Sequence, residues 1–223
     1  MINAVSYRDP KSPMAEAYRA VAAGICGAVK DSSPIIIEIT SAGSSAGKST
    51  IAANLAIVMA QAGKKVLLVD CNLSHPTQHE IFGLKVQGLF DCVASGGDLS
   101  AFRQATAQTG LELVAAGVNA PIAISPEAVR QMLNTLVANY DYILLDAASV
   151  LESASAISFA SAADGVLFVV KSGEERPKDA RLAKKRLAQM KTPILGCVLN
   201  CVKVDDDDIS MIVNKVEANN DAS

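Results

Sequence analysis

Short runs of apolar, largely β-branched residues alternate along this chain with longer segments of helical periodicity. The runs predict strands at residues 34–40, 65–70, 111–115, 142–146, 165–170 and 193–200, and the longer segments predict helices at 14–30, 50–62, 125–139 and 177–190. Strands that are apolar at nearly every position are typically buried on both faces. The alternation therefore predicts an α/β fold, a doubly wound and mainly parallel sheet flanked by helices.

Composition and charge narrow the functional classes. Of the 223 residues, 50% are hydrophobic and 19% charged, which suits one globular domain. A net charge of −3, no Trp and 4% aromatic residues argue against nucleic-acid binding by bulk charge or by base stacking. No apolar run reaches the roughly 18 residues of a membrane span, and the N-terminus lacks the order of a secretory signal. We expect one domain over residues 1–203 and an acidic, flexible tail over residues 204–223.

The cysteines, the two histidines and one basic segment each allow a structural interpretation and a functional one. The five cysteines are odd in number and scattered, so we expect small buried hydrophobic residues in a reducing cytosol rather than metal ligands or disulfides. His75 and His79 are four residues apart, which allows a zinc site or a structural role in a loop. The basic residues between 176 and 191 suit a solvated helix face or a surface that docks onto anionic lipid or an acidic partner.

Residues 42–50 carry the most specific chemical signature. They read Ala-Gly-Ser-Ser-Ala-Gly-Lys-Ser-Thr between a predicted strand and a predicted helix, which is the P-loop pattern with Ala42 at the usual first glycine. Small residues let consecutive backbone N–H groups surround a phosphate, and the helix N-terminus adds positive potential. Lys48 supplies a cation for the outer phosphates, and the Ser49 hydroxyl can join a Mg²⁺ shell. The predicted nucleotide-binding residues of this loop are Gly43, Ser44, Ser45, Ala46, Gly47, Lys48, Ser49 and Thr50.

Two aspartates end predicted strands and belong with this loop. Asp70 follows Val-Leu-Leu-Val, and Asp146 follows Ile-Leu-Leu. The carboxyl ends of parallel strands meet at one crevice, where ligands bind. We therefore expect both carboxylates to lie near Ser49 and a bound Mg²⁺.

The segments around these residues resemble the bacterial tyrosine kinases, which are related to the MinD/ParA ATPases. Residues 12–19 read Ser-Pro-Met-Ala-Glu-Ala-Tyr-Arg, similar to that family's Ser-Pro-x-x-Glu-Ala-Tyr-Arg. Residues 67–84 resemble its second strand, which reads Asp-x-Asp-x-Arg and then Pro, His and Phe-Gly-Leu. Shorter similar segments follow, so the likeness covers about residues 12–202.

The resemblance implies a function and a set of roles. It implies a cytoplasmic ATP-binding protein of capsule or exopolysaccharide export, which works at the inner face of the membrane against the cytoplasmic segment of a membrane polysaccharide co-polymerase. Such proteins autophosphorylate a C-terminal tyrosine cluster between the subunits of a ring. Matching positions imply catalytic roles for Lys48 and Asp70, ATP or ADP with Mg²⁺ at Ser49, Asp70 and Asp146, and Asn200 near the adenine base. A strand-end Asn is also a common turn residue, and that alternative stays open.

Several positions depart from the family pattern. The second Asp and the Arg of Asp-x-Asp-x-Arg are Asn72 and Ser74, and neither can accept a proton or offset phosphate charge as the family residues do. Ala-Ser at residues 148–149 replaces the family's Pro-Pro, and Ala22 replaces the second Arg of its Glu-x-x-Arg-x-x-Arg assembly helix, which would weaken a homo-oligomer. The tail after Asn200 has no tyrosine; of Tyr7, Tyr18, Tyr140 and Tyr142, only Tyr7 is expected to be free.

These losses affect phosphate transfer, its acceptor and assembly, whereas the nucleotide loop is kept. The leading hypothesis is a kinase-like protein that binds nucleotide, transfers phosphate poorly or not at all, and regulates a polysaccharide machine. One alternative is an active kinase or ATPase that uses Asp70 alone and acts in trans. A MinD/ParA-type positioning ATPase ranks lower, because residues 41–44 lack the additional lysine of those relatives. A structural partner that binds no nucleotide is the remaining alternative.

Overall fold

A mostly parallel sheet forms the centre of the part of the chain that the structure describes. The structure is a computed structural model, and it describes residues 2–29, 34–118, 124–136 and 139–203. Its strands are β1 (Ile35–Ser41), β2 (Val66–Cys71), β3 (Gln104–Ala105), β4 (Leu111–Val114), β5 (Tyr142–Ala147), β6 (Gly165–Lys171) and β7 (Ile194–Asn200). Its helices are α1 (Val5–Arg8), α2 (Pro13–Ala28), α3 (Lys48–Gln61), α4 (Gln78–Phe82), α5 (Leu89–Ser95), α6 (Pro126–Asn134), α7 (Ala154–Ala162) and α8 (Pro177–Gln189).

The order of the strands places the phosphate loop near the middle of the sheet. The order is β3-β4-β2-β5-β1-β6-β7, with every neighbouring pair parallel except β3 and β4. β5 lies between β1 and β2, although it follows both by more than 70 residues in the sequence. Asp70 and Asp146 are register partners on β2 and β5, so the order of the strands itself brings the two acidic strand ends together.

Helices cover both faces of the sheet. On one face, α2 and α3 pack over a core that includes Ile37, Leu55 and Leu68. On the other face, α5, α6 and α7 pack against the sheet, and Phe90 of α5 and Phe159 of α7 belong to that core. α8 completes the second face beside β6. The predicted doubly wound, mainly parallel architecture is confirmed.

α3 is buried on nearly all sides because α1 and α2 cover the face that turns away from the sheet. Its sequence, rich in alanine, keeps the side chains short enough for this close packing. The helix begins at Lys48, directly after the glycine of the phosphate loop. The first turn of α3 is therefore held firmly at the carboxyl end of the sheet.

Most element predictions agree with the structure to within a few residues, but the helices α1 and α7 and the two-residue strand β3 were not predicted. α7 lies in a stretch of serine and alanine for which no element was predicted; Ser153 caps it by accepting a hydrogen bond from the Ser155 N–H. The predicted helix at residues 125–139 ends at Asn134. Residue 30, residues 137–138 and the predicted tail at residues 204–223 lie outside the described residues.

The prediction of buried cysteines is wrong for three of the five. Cys71 and Cys92 are buried, whereas Cys26, Cys197 and Cys201 are exposed, and all five are free thiols. Cys26 lies on α2, where its Sγ atom is 3.1 Å from the Tyr142 hydroxyl although the residue is exposed. Cys197 lies on β7, the edge strand of the sheet, and Cys201 directly follows it. An edge strand has a neighbour on one side only, so an apolar sequence there does not imply burial on both faces.

None of the helices in the described residues is both long and apolar enough to cross a bilayer.

Candidate nucleotide site

The loop between β1 and α3 has the backbone that a phosphate-binding loop requires. Ser45 and Gly47 have positive φ values of 59° and 87°, the left-handed region in which successive N–H groups can form a concave surface. A Cβ atom at Gly47 would lie 2.2 Å from Asn200 Nδ2, so the Asn200 side chain would have to move to admit one. The loop thus needs glycine at residue 47 mainly for its backbone conformation.

The Lys48 ammonium is held inside the crevice. Its Nζ atom donates hydrogen bonds to Ser41 Oγ at 3.1 Å and to Ser149 Oγ at 3.2 Å, and the residue is 6% exposed. Burial lowers the pKa of Lys48, while the negative charges of Asp146 and Glu152 raise it. Two neutral hydroxyls therefore orient the cation, which forms no direct ion pair with any of the described residues. Such a cation is ready to receive phosphate.

Asp70 is fully buried at the end of β2 and is fixed by backbone donors. Its Oδ2 atom accepts N–H bonds from Thr77 and Gln78, both at 3.0 Å, and its Oδ1 atom accepts one from Asn72 at 3.1 Å. Burial and then the nearby charge of Asp146 raise the pKa of Asp70, whereas these backbone bonds lower it. The carboxylate anchors the loop between β2 and α4 beside the crevice.

The two carboxylate oxygens of Asp146 have different surroundings. Gln78 Nε2 donates to Asp146 Oδ2 at 2.8 Å and also to the Ser49 carbonyl at 2.9 Å, so Gln78 ties α4 to both site elements. Asp146 Oδ1 and Gln78 Oε1 are buried and have no hydrogen-bond partner among the described residues. Burial raises the pKa of Asp146, while Gln78, Ser49 and Lys48 favour its charged form.

These donor atoms suit a hard divalent cation. Mg²⁺ takes oxygen ligands and retains several waters, and a buried carboxylate oxygen without a partner is costly unless a cation or water satisfies it. Asp146 Oδ1 is such an oxygen, and Ser49 lies on the same crevice. The residues present therefore fit the predicted Mg²⁺, which Ser49 on the cavity wall and the buried Asp146 beside it would hold, with Asp70 as their neighbour.

The crevice opens into a cavity of about 750 Å³, which is within the range of small-molecule sites. Its walls come from the phosphate loop, the loop after β2, α4 and the segment after β5. The residues that line it are Asn3, Ser44, Ser45, Gly47, Lys48, Ser49, Thr50, Asn72, Ser74, His75, Thr77, Glu80, Ile81, Ala148, Ser149, Glu152 and Ser153. Five other residues predicted for the site lie outside this lining: Gly43, Ala46, Asp70, Asp146 and Asn200. Asp70 and Asp146 are fully buried behind the cavity wall.

Asn200 lies against the phosphate loop from the direction of β7. Its Nδ2 atom donates to the Ala46 carbonyl at 2.8 Å, and Ala46 itself is buried. The bond spans 154 residues of sequence, so Asn200 braces the loop in addition to ending a strand. Its predicted place near the adenine base stays a prediction.

The departures at Asn72 and Ser74 face the cavity. Asn72 is 9% exposed, and its Oδ1 atom accepts the His75 N–H at 3.3 Å. The side chain thus shapes the loop after β2, but an amide cannot act as a base towards a hydroxyl group in the cavity. Where the family has carboxylate and guanidinium groups, this cavity has an amide and a hydroxyl.

Tyrosines do not lie free at this site. Tyr140 and Tyr142 are buried, and Tyr7 and Tyr18 are half-buried and packed against the core beneath α2 and α3. The expectation that Tyr7 is free is wrong, because α1 lays it against that core. Ala22 is also buried in the protein's own core, while Glu16 and Arg19 form an ion pair of 2.6 Å on α2.

The two histidines and the basic helix differ in their distance from the cavity. His75 lines the cavity and His79 lies on α4; within the described ranges, no group of three His, Cys, Asp or Glu side chains could hold a metal ion. The basic side chains of α8 are exposed along the outside of the molecule.

Sequence reasoning missed Gln78, Ser149 and Glu152 as members of the site. They reach it from segments that follow β2 and β5, and each contacts a residue 29 or more positions away. The segment that holds Gln78 was noted only for its family resemblance, and Ser149 only for its departure from Pro-Pro.

Comparisons with known proteins agree with this geometry. The family model "CobQ/CobB/MinD/ParA nucleotide binding domain" matches residues 37–222. Tyrosine-protein kinase YwqD of Bacillus subtilis is 34% identical over 206 residues, covering 91% of this chain and 87% of that protein. Tyrosine-protein kinase wzc of Salmonella typhi is 26% identical; the match covers 87% of this chain but only 28% of that longer protein.

Solved structures give the same picture. The chimerical protein CapA2B2 superposes with a TM-score of 0.82 at 31% identity, covering 91% of each chain. The septum site-determining protein MinD of Pyrococcus horikoshii, solved with Mg-ADP, has a TM-score of 0.67 at 22% identity, covering 80% of this chain and 77% of that one, which shows the shared fold.

Proposed function

Since this chain belongs to the bacterial tyrosine-protein kinases within the CobQ/CobB/MinD/ParA nucleotide-binding family, we propose that it binds ATP or ADP with Mg²⁺ and regulates a polysaccharide export machine. In this proposal its tyrosine autokinase activity is weak or absent. It would act at the inner face of the membrane, through the cytoplasmic segment of a polysaccharide co-polymerase.

The observation that carries the proposal is the buried Lys48 ammonium, which two hydroxyls hold at the wall of the 750 Å³ cavity. The backbone N–H groups of residues 43–50 and this cation would bind the phosphates. Ser49 and Asp146 would hold Mg²⁺, with Asp70 beside them. The metal would supply charge neutralisation between phosphate oxygens.

The weak-transfer part of the proposal rests on what surrounds the cavity. Asn72 cannot take a proton from an acceptor hydroxyl, and a positioned general base is typically worth about 10²–10⁴-fold in rate. Ser74 supplies no cation. In addition, each of the four tyrosines is at least half-buried, so none is presented to the site. Lys48 and Asp70 remain the proposed groups for whatever transfer survives.

A binding experiment tests the proposal. At about 100 times its dissociation constant, MgADP should stabilise the wild-type protein by about 2.7 kcal/mol, which a thermal shift detects. Lys48→Ala should lose this shift, while Lys64→Ala, an exposed lysine in the turn after α3, should keep it. If neither MgADP nor MgATP shifts the wild type, the protein is a structural partner and not a nucleotide-dependent regulator.

Phosphotyrosine mass spectrometry after incubation with MgATP tests the second part. We expect no substantial phosphate on Tyr7, Tyr18, Tyr140 or Tyr142. Robust modification of any of them, or steady ADP production that Lys48→Ala abolishes, would instead identify a working kinase or ATPase.

A further inference from the structure

An acidic side chain occupies one end of the phosphate loop. Glu152 Oε1 accepts a hydrogen bond from the Ser44 backbone N–H at 3.2 Å. Loop N–H groups are the groups that a phosphate-binding loop offers to anions. The carboxylate therefore sits as an anion at the wall of the cavity where phosphate is expected.

The position of Glu152 is fixed by the backbone around it. The N–H groups of Val150 and Leu151 donate to the carbonyls of Ser41 and Ala42, at 2.9 and 3.2 Å. The Glu152 N–H donates to the Ser149 carbonyl at 3.1 Å, which closes a turn. The segment after β5 is thus hydrogen-bonded to the start of the phosphate loop, and Glu152 stays beside Ser44 for that reason.

A second carboxylate lies on the same side. Glu175, half-buried just before α8, interacts electrostatically with both Glu152 and Lys48; burial, Asp179 and Glu152 raise its pKa, whereas Lys48 lowers it. Against these acids, Lys48 is the only lysine or arginine among the described residues that line the cavity. The family or its relatives carry further cations at two places where this chain has none. Residue 74 is a serine, and residues 41–44 contain no lysine.

The two ends of the loop differ in charge. Asn200, the predicted neighbour of the base, contacts Ala46 and approaches Gly47. Glu152 contacts Ser44, nearer the start of the loop. A phosphate chain that begins near Asn200 and runs along the loop would bring its terminal phosphate towards Glu152. A nucleoside triphosphate would therefore place more negative charge near Glu152 than a nucleoside diphosphate.

We propose that Glu152 makes this site selective for nucleoside diphosphates over nucleoside triphosphates. The inference rests on the proposed nucleotide binding and deepens it, because it names the ligand to which the regulator responds. Glu152 is exposed, so solvent screens its repulsion. The expected contribution to the discrimination is about five- to tenfold, the size typical of a partly screened charge pair.

Calorimetric titration of the full chain tests the proposal with two probes, MgADP and the Mg²⁺ complex of the β,γ-imido analogue of ATP. The measured quantity is the ratio of the triphosphate dissociation constant to that of the diphosphate. The wild type should show a ratio above one. Glu152→Gln should lower the ratio about five- to tenfold, mainly by tightening the triphosphate. Higher salt should lower the wild-type ratio in the same direction.

The matched control is Glu127→Gln, which makes the same change of charge at an exposed carboxylate on α6, outside the cavity lining. The control should leave the ratio unchanged. An unchanged ratio in Glu152→Gln, or an equal change in Glu127→Gln, overturns the selectivity role while nucleotide binding stands. If neither probe binds any variant, the proposed function fails as well, which is a distinct result.

Discussion

Asp146 and Glu38 are both fully buried acids on neighbouring strands, but they have opposite surroundings. Asp146 ends β5, where Gln78, Ser49 and Lys48 favour its charge. Glu38 lies in the middle of β1 between Leu145 and Val166, and neither carboxylate oxygen has a hydrogen-bond partner among the described residues. Burial raises the pKa of Glu38 well above its ordinary value.

The contrast shows how position along a strand decides what a buried acid does. At the carboxyl end, loops from several strands converge and supply donors, cations and room for a ligand. In mid-strand, the sheet uses its own backbone groups, and the neighbours are apolar side chains. The first carboxylate can serve a site, whereas the second only costs stability.

The largest change in activity should come from adding an acidic side chain near Asp146, at the carboxyl end of the sheet. Asn72→Asp combined with Ser74→Arg restores a carboxylate and a guanidinium group to the cavity wall. We expect phosphate transfer to an added tyrosine polymer to rise by about 10²-fold or more, as a general base typically provides. Radiolabel transfer from MgATP measures it, with Asn72→Gln as the control that should gain nothing. No gain in the double variant would show that other features suppress activity.

Removing the carboxylate of Asp146 should weaken the binding of nucleotide in the presence of Mg²⁺. Asp146→Asn eliminates the charge whose free oxygen fits Mg²⁺, and we expect affinity for MgADP to fall by about tenfold or more. Titration with and without Mg²⁺ checks this, because metal-free ADP should lose much less. Equal losses in the two conditions would argue that Asp146 shapes the loop and does not hold the metal.

Replacing Glu38, the acid in the middle of a strand, should stabilise the protein. Glu38→Leu removes a buried polar group without partners, which typically costs about 1–3 kcal/mol. For a chain of this size that corresponds to a rise in melting temperature of roughly 2–4 °C per kcal/mol. Nucleotide affinity should stay the same. A destabilised Glu38→Leu variant would indicate that the carboxyl group has a partner, such as a buried water.

The pH dependence of stability distinguishes the effect of ionising Glu38 from the effect of burying a polar group at that position. Because the folded pKa of Glu38 is raised, the folded state holds its proton longer than the unfolded chain, whose value is near 4.5. The free energy of unfolding should therefore fall as the pH rises above 4.5, through the folded pKa. Glu38→Gln cannot ionise, so denaturant titrations should show a smaller decline than the wild type. Parallel curves would contradict the raised pKa.

Local sequence patterns predicted much of this protein's structure. The alternation of runs predicted the fold class, and Gly-Lys-Ser-Thr between a strand and a helix predicted the phosphate loop, because both depend on residues close in sequence. The strand-end positions of Asp70 and Asp146 predicted their meeting. The cysteines of β7 and the packing of Tyr7 were predicted wrongly, since exposure depends on which elements cover a residue.

By itself, the sequence determined most of the strands and the longer helices and where the anion-binding loop begins, since these follow from backbone propensity and spacing. Only the tertiary structure decided that Ser149 holds Lys48, that Gln78 ties Asp146 to Ser49, and that Glu152 reaches the Ser44 N–H. The physical reason is the order of the strands. β5 inserts between β1 and β2, and this long-range pairing brings together side chains that no local pattern connects.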